Sequence, residues 1–91
     1  MSLYERWLTT YQTAYRKPST TPTLPCPTCA ARTLTLLFVV RRADTLRATA
    51  LFWCNTCQTG LAPNRAPLPP NAPQVREGEE QVPNYTIVPP P

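Results

Sequence analysis

The residues best suited to chemistry are two matching cysteine pairs, Cys26-Pro27-Thr28-Cys29 and Cys54-Asn55-Thr56-Cys57. A C-x-x-C turn sets two thiolates on one side of the backbone. Two such turns facing each other make a tetrahedral four-sulfur cage, a donor set that suits Zn²⁺. The chain has no histidine, so the cage is all-cysteine and leaves no open coordination position. A closed site of this kind builds structure and carries out no reaction. The expected cofactor is therefore one structural Zn²⁺ held by Cys26, Cys29, Cys54 and Cys57. Iron in the same four-sulfur geometry competes with it, as in rubredoxin-type sites. A secreted disulfide scaffold also has an even cysteine count, and a redox C-x-x-C pair is a third use of the motif. The latter needs one pair on a βαβ framework rather than two pairs around a β-rich segment.

The remaining residues add little catalytic potential. No hydroxyl has an evident base, and no carboxylate pair lies near the cysteines, so the expectation is a protein that is not an enzyme and has no small-molecule substrate. At 91 residues the chain forms one small domain, whose apolar core needs help to be stable. Metal binding supplies that help, since it is linked directly to folding in small zinc modules. No segment resembles a signal peptide. The longest apolar run, Leu36 to Val40, falls far short of a membrane span. Thiolates kept free for metal favour a reducing compartment, so a cytoplasmic location and no membrane partner are expected.

The elements that must position the cysteines follow from the pattern around them. Residues 1–17 read as an amphipathic helix. Ser2 is a candidate N-cap with Glu5 three positions on, which is a capping box, and Leu3, Trp7, Leu8, Tyr11, Ala14 and Tyr15 recur at helical spacing. Residues 18–25 carry Pro18, Pro22 and Pro25 and read as an extended linker. Thr33 to Val40 and Thr45 to Trp53 have strand composition, with Arg42-Ala43-Asp44 as the turn. A three-residue loop sets Leu34, Leu36, Phe38 and Val40 on the same face as Leu46, Ala48, Ala50 and Phe52. Such a hairpin brings the two cysteine turns side by side at its base, although 24 residues separate Cys29 from Cys54. Residues 61–91 hold nine of the thirteen prolines and read as an extended, poorly packed tail. Within it, residues 82–88 have strand composition, fitting either an added strand or a linear motif for a partner.

These cysteine turns framing a hairpin resemble the zinc-ribbon family over residues 26–57. The resemblance implies a small metal-stabilised α+β fold: an N-terminal helix, a ribbon over residues 26–60 with a hairpin or three-stranded sheet, and the proline-rich tail. It carries Pro27 and Trp53 over as part of the two knuckles. The chain departs from the family where glycine commonly follows the second cysteine of each knuckle. Ala30 and Gln58 stand there, and Gly60 is the candidate terminator of the second knuckle. It also lacks the acidic pair that transcription-elongation ribbons present at the hairpin tip, offering Arg41-Arg42-Ala43-Asp44 instead.

Charge points to two functional classes. The net charge is +4, and Arg32, Arg41, Arg42, Arg47 and Arg65 surround the single Asp44 in the central region, whereas Glu77, Glu79 and Glu80 lie in the tail. The first expectation is a nucleic-acid-associated or transcription/translation accessory module, with Arg41, Arg42 and Arg47 on phosphates and Trp53 stacking on a base. The alternative is a protein-interaction adaptor using the aromatic helix and the Tyr85 to Val88 segment. The bland counterpart of each is also open: a solvated hairpin tip, a tryptophan that shields metal, and chain ends that complete the core.

Overall fold

The computed structural model describes the backbone of residues 2–41, 44–63, 66–69 and 72–90, and their side chains other than those of 41–47. Over these residues the chain is a small α+β fold in which one helix packs on a sheet of several strands.

Helix α1 runs Leu3–Arg16. Ser2 caps it: its hydroxyl accepts from the Glu5 amide at 3.1 Å, and the Glu5 carboxylate accepts from the Ser2 amide at 3.3 Å. The stripe packs onto the chain's own sheet, with Trp7 and Ala14 fully buried and Tyr4, Leu8, Tyr11 and Tyr15 partly so. The first turn differs from expectation. Leu3 is 43% exposed, and Tyr4 takes the place it was expected to fill. A helix turns 3.6 residues per revolution, so an outermost position is the first to rotate off a narrow stripe.

The linker is not extended. Pro18–Thr23 forms a 3₁₀ helix. Proline fits at its start, where the missing N–H has no partner to lose and the fixed φ is already suitable. The threonine hydroxyls reinforce it: those of Thr20, Thr21 and Thr23 each donate to a carbonyl three residues back, at 2.6 to 2.7 Å. Thr21 is buried and ties this turn into the body of the fold.

Strands β1 (Leu34–Arg41) and β2 (Asp44–Cys54) form the antiparallel hairpin. Leu36 pairs with Phe52, Phe38 with Ala50 and Val40 with Ala48, and the register then shifts so that Arg41 pairs with Asp44. A three-residue loop would have paired Phe38 with Ala48. The pairing found is displaced by two residues, which preserves the face of every side chain.

Strands β3 (Thr59–Leu61) and β4 (Ala66–Pro67) run back along β2 in two pieces. Gly60 belongs to β3 and lies opposite Trp53, so it does not terminate a knuckle. A Cβ there would lie 2.0 Å from the Phe52 carbonyl oxygen, so only glycine admits this approach.

The proline-rich segment packs on both margins of the sheet. Strand β5 (Gln74–Arg76) pairs in parallel with β1, and β6 (Thr86–Ile87) in parallel with β3. Ala72 and Val88 are buried in the main core. The strand order is β5-β1-β2-β3-β6, with β4 beside β2. Among the described residues, no helix is long and apolar enough to cross a membrane.

Candidate metal centre

The base of the hairpin brings the four cysteines together. All four Sγ atoms lie within 4.8 Å of one another. Across the two turns, the sulfurs of Cys26 and Cys57 approach to 3.7 Å, and those of Cys29 and Cys54 to 3.6 Å. A disulfide requires about 2.05 Å, and all four thiols are free. Cys26 and Cys54 are buried, Cys57 is half-buried and Cys29 is exposed. The cluster is thus a group of four sulfur donors that could hold a metal ion.

Local backbone geometry explains how each turn presents its sulfurs. In the first, the Ala30 amide donates to the Cys26 carbonyl at 2.8 Å. In the second, the Gln58 amide donates to the Cys54 carbonyl at 2.9 Å. Both closing residues are left-handed, Ala30 at φ 65° and Gln58 at φ 55°. The absent glycines therefore leave the geometry unchanged. Ala30 and Gln58 adopt the glycine conformation at a strain of order 1–3 kcal/mol each, which the surrounding bonds must hold. The Gln58 side-chain amide does part of this by donating to the Asn55 carbonyl at 2.9 Å.

Hydrogen-bond donors converge on the buried sulfurs. The amides of Thr28 and Cys29 point at Cys26 Sγ, at 3.3 and 3.5 Å. The Thr33 hydroxyl lies 3.3 Å from Cys54 Sγ. Burial alone raises the Cys54 thiol, but Thr33 and the Cys57 and Thr56 amides outweigh it and bring the group down to about 6. Burial pushes Cys26 up to about 12 and also raises Cys57. The site therefore offers a ready thiolate at Cys54, whereas Cys26 and Cys57 are drawn into ionisation as a cation enters.

Three residues with no obvious metal role hold the cage in place. Asn55 accepts from the Trp53 indole at 3.0 Å and donates through its amide to the Thr33 carbonyl and the Thr35 hydroxyl, at 3.0 and 2.7 Å. Thr28 accepts from the Trp7 indole at 3.0 Å, which joins the helix to the first cysteine turn. Thr33 links Cys54 to the Thr56 hydroxyl at 2.7 Å. Their only sequence signal is that Thr28 and Asn55, within the turns, and Thr33 just beyond the first are short polar residues, types that bond back to nearby backbone.

The expected nucleic-acid contacts fall elsewhere. Arg42 lies outside the described residues, as do the side chains of Arg41 and Arg47, so the tip arginines have a described backbone only at Arg41 and Arg47. Trp53 is a correction. It is 4% exposed and stacks on Tyr85, with ring centroids 5.5 Å apart and planes within 14°. Its indole N–H is already donated to Asn55. A base has no access to it, because Tyr85, distant in sequence, occupies the stacking position. Comparison with protein-family models, with curated proteins and with solved structures finds no match to this chain.

Proposed function

We propose that this protein is a non-catalytic zinc-ribbon module in which one structural Zn²⁺ is ligated by Cys26, Cys29, Cys54 and Cys57. The observation that carries this reading is the spacing of the sulfurs. A metal about 2.3 Å from each of four tetrahedral sulfurs gives an edge of about 3.8 Å, close to the 3.6 and 3.7 Å cross-turn separations. Four thiolates fill the tetrahedron of zinc, so no bound water is left to activate, which supports a structural rather than catalytic role.

The module acts on nucleic acid or within a nucleic-acid-handling complex. Support comes from its basic balance, +4 overall with four arginines between Arg32 and Arg47, and from the fate of the two elements an adaptor would use. Trp7 and Ala14 of the helix stripe are buried against the chain's own sheet, and Tyr85 and Val88 are packed on it as well. The arginines of the hairpin tip, Arg41, Arg42 and Arg47, then supply phosphate contacts, which position without reading sequence.

Native mass spectrometry with metal analysis tests the metal. One zinc per chain is expected; iron as the main metal, or a stoichiometry well below one in reduced protein, overturns the assignment. Binding of labelled single- and double-stranded oligonucleotides across a salt series tests the role. Affinity should fall steeply with salt, and joint charge reversal at Arg41 and Arg47 should flatten the logarithmic slope by about two. Binding indifferent to both would favour a protein partner.

A further inference from the structure

Away from the cage, the second half of α1 and strand β4 enclose a groove of about 380 Å³ lined by Tyr11, Gln12, Tyr15, Arg16, Ala66 and Pro67. Its volume lies in the range of small-ligand sites. We propose that this groove seats one base of a single-stranded nucleic acid against Tyr11, Tyr15 and Pro67, with Gln12 reading the base edge and Arg16 holding the adjoining phosphate. The inference rests on the nucleic-acid reading above and deepens it by placing the base contact on the helix.

The walls are aromatic and fixed in advance. Tyr11 and Tyr15 stand one helical turn apart with ring centroids at 5.9 Å. Tyr11 is braced by Phe52 at 5.8 Å and Tyr15 by Phe38 at 6.0 Å. The Tyr15 hydroxyl donates to the Pro67 carbonyl, which fixes its ring against β4. Rings already ordered by the core lose little entropy when a flat partner arrives.

The rim supplies the polar chemistry. Gln12 and Arg16 are also one turn apart, and both are exposed. A glutamine amide donates and accepts at once, matching the mixed edge of a base, and a guanidinium matches phosphate. Lys17, next along the chain, is exposed too and adds a second cation. Among the described residues, no carboxylate lines the groove. Glu5, the one acidic residue of α1, is held in the capping box at the opposite end. A proline-rich peptide would satisfy the rings, and its carbonyls could meet Gln12, but it would leave Arg16 without an anion. Trp53 lacks the access a base requires, whereas this groove combines aromatic and arginine in the way strand-binding surfaces do.

The test uses the zinc-loaded full chain with a labelled oligothymidylate and with an abasic strand of the same length. The wild type should prefer the base-bearing strand by about tenfold, the effect of stacking one base. The double variant Gln12→Ala/Arg16→Glu, at two exposed positions, should lose that preference while melting like the wild type. Charge reversal at Arg41 and Arg47 should weaken both strands equally and leave the preference intact. Thymidine monophosphate should shift the amide resonances of Tyr11 to Arg16, as the oligonucleotide does; shifts with the strand but not the nucleotide would remove the groove as a base seat. Equal affinity for the two strands, or a preference that survives Gln12→Ala/Arg16→Glu, would overturn the groove and leave the nucleic-acid reading standing. No binding of either strand at low salt would overturn both. A proline-rich peptide that shifts the same resonances when oligonucleotides do not would make the groove a protein-docking site.

Discussion

The N-terminal helix and the proline-rich C-terminal segment both pack on one sheet, and they do so by different physics. Neighbouring residues of β2 point to opposite sides: Phe52 meets Trp7 and Tyr11 of the helix, whereas Trp53 meets Tyr85 of the tail. The helix presents a repeating stripe, so its contact is spread over six side chains along 14 residues. The tail presents no repeat. Its hold consists of separate anchors, Ala72, Val75, Tyr85 and Val88, carried between prolines and pinned by backbone bonds to sheet margins. A repeating pattern covers a surface with many small contributions. A proline-rich chain does it with a few points, because its backbone is already stiff and has less freedom to lose.

The cysteine cage joins the two coverings, since Thr28 holds the helix, and Trp53, which stacks on the tail, is bonded to Asn55 of the second turn. Cys54→Ser should therefore have the largest effect, releasing helix and tail together, with loss of cooperative melting and of metal. A variant that loses zinc yet melts like the wild type would show that the apolar core suffices. Acid should reach the same end by another route. Protons compete with metal for sulfur, so affinity falls with pH, and Cys26 and Cys57, whose thiols burial raises, take protons back more readily than Cys54. Zinc release followed with a chromophoric chelator should increase as pH falls; release independent of pH would contradict thiolate ligation.

Within the helix, Trp7→Ala should cost about 3–5 kcal/mol, the range for a large buried aromatic, because Trp7 is fully buried and bonded to Thr28. Denaturant melts of the metal-loaded protein measure it, and a cost below 1 kcal/mol would mean that the stripe is not the helix's hold. Tyr85→Ala should cost less, about 2 kcal/mol, from lost stacking and burial. Its hydroxyl also bonds the Leu61 carbonyl at 2.7 Å. Hydrogen exchange should then accelerate at Thr86 and Val88 while the helix stays protected; equal acceleration in both would mean that the two coverings are not independent. Ser2→Ala is the smallest, about 1 kcal/mol for a lost cap, read as fraying of the first turn alone.

The same contrast explains what could be read from the residues. The helix was legible because cap and stripe are local patterns. Only Leu3, at the end of the stripe, departed from it. The faces of the hairpin were legible because alternation survives a two-residue displacement, while the register near Val40 and Arg41 was not, because nothing in the apolar pattern distinguishes the two pairings. The four sulfurs announced themselves through spacing. Their supports, Thr28, Thr33 and Asn55, did not, since polar residues in a turn carry no signature of the partner they will meet. The tail was least legible. Its parallel pairings join residues far apart in sequence, and Pro73, Pro83 and Pro89 mask strand propensity. Trp53 was equivocal for the same reason, its partner Tyr85 lying far along the chain.

The short parallel strands at the margins bear on how this protein behaves among copies of itself. The outermost strands in the sheet order are β5, three residues long, and β6, two residues long. Pro73 precedes the first, and Pro83, Pro89 and Pro90 bracket the second. A neighbouring molecule seeking to extend the ladder meets only a few amide groups before a residue that has none to give. The long β1–β2 ribbon, which would otherwise template growth into fibres, is thereby covered over Phe38–Val40 of β1 and over parts of β2. The prolines that disguise the tail as unstructured chain also shorten the ladder that these margins offer to a neighbouring copy.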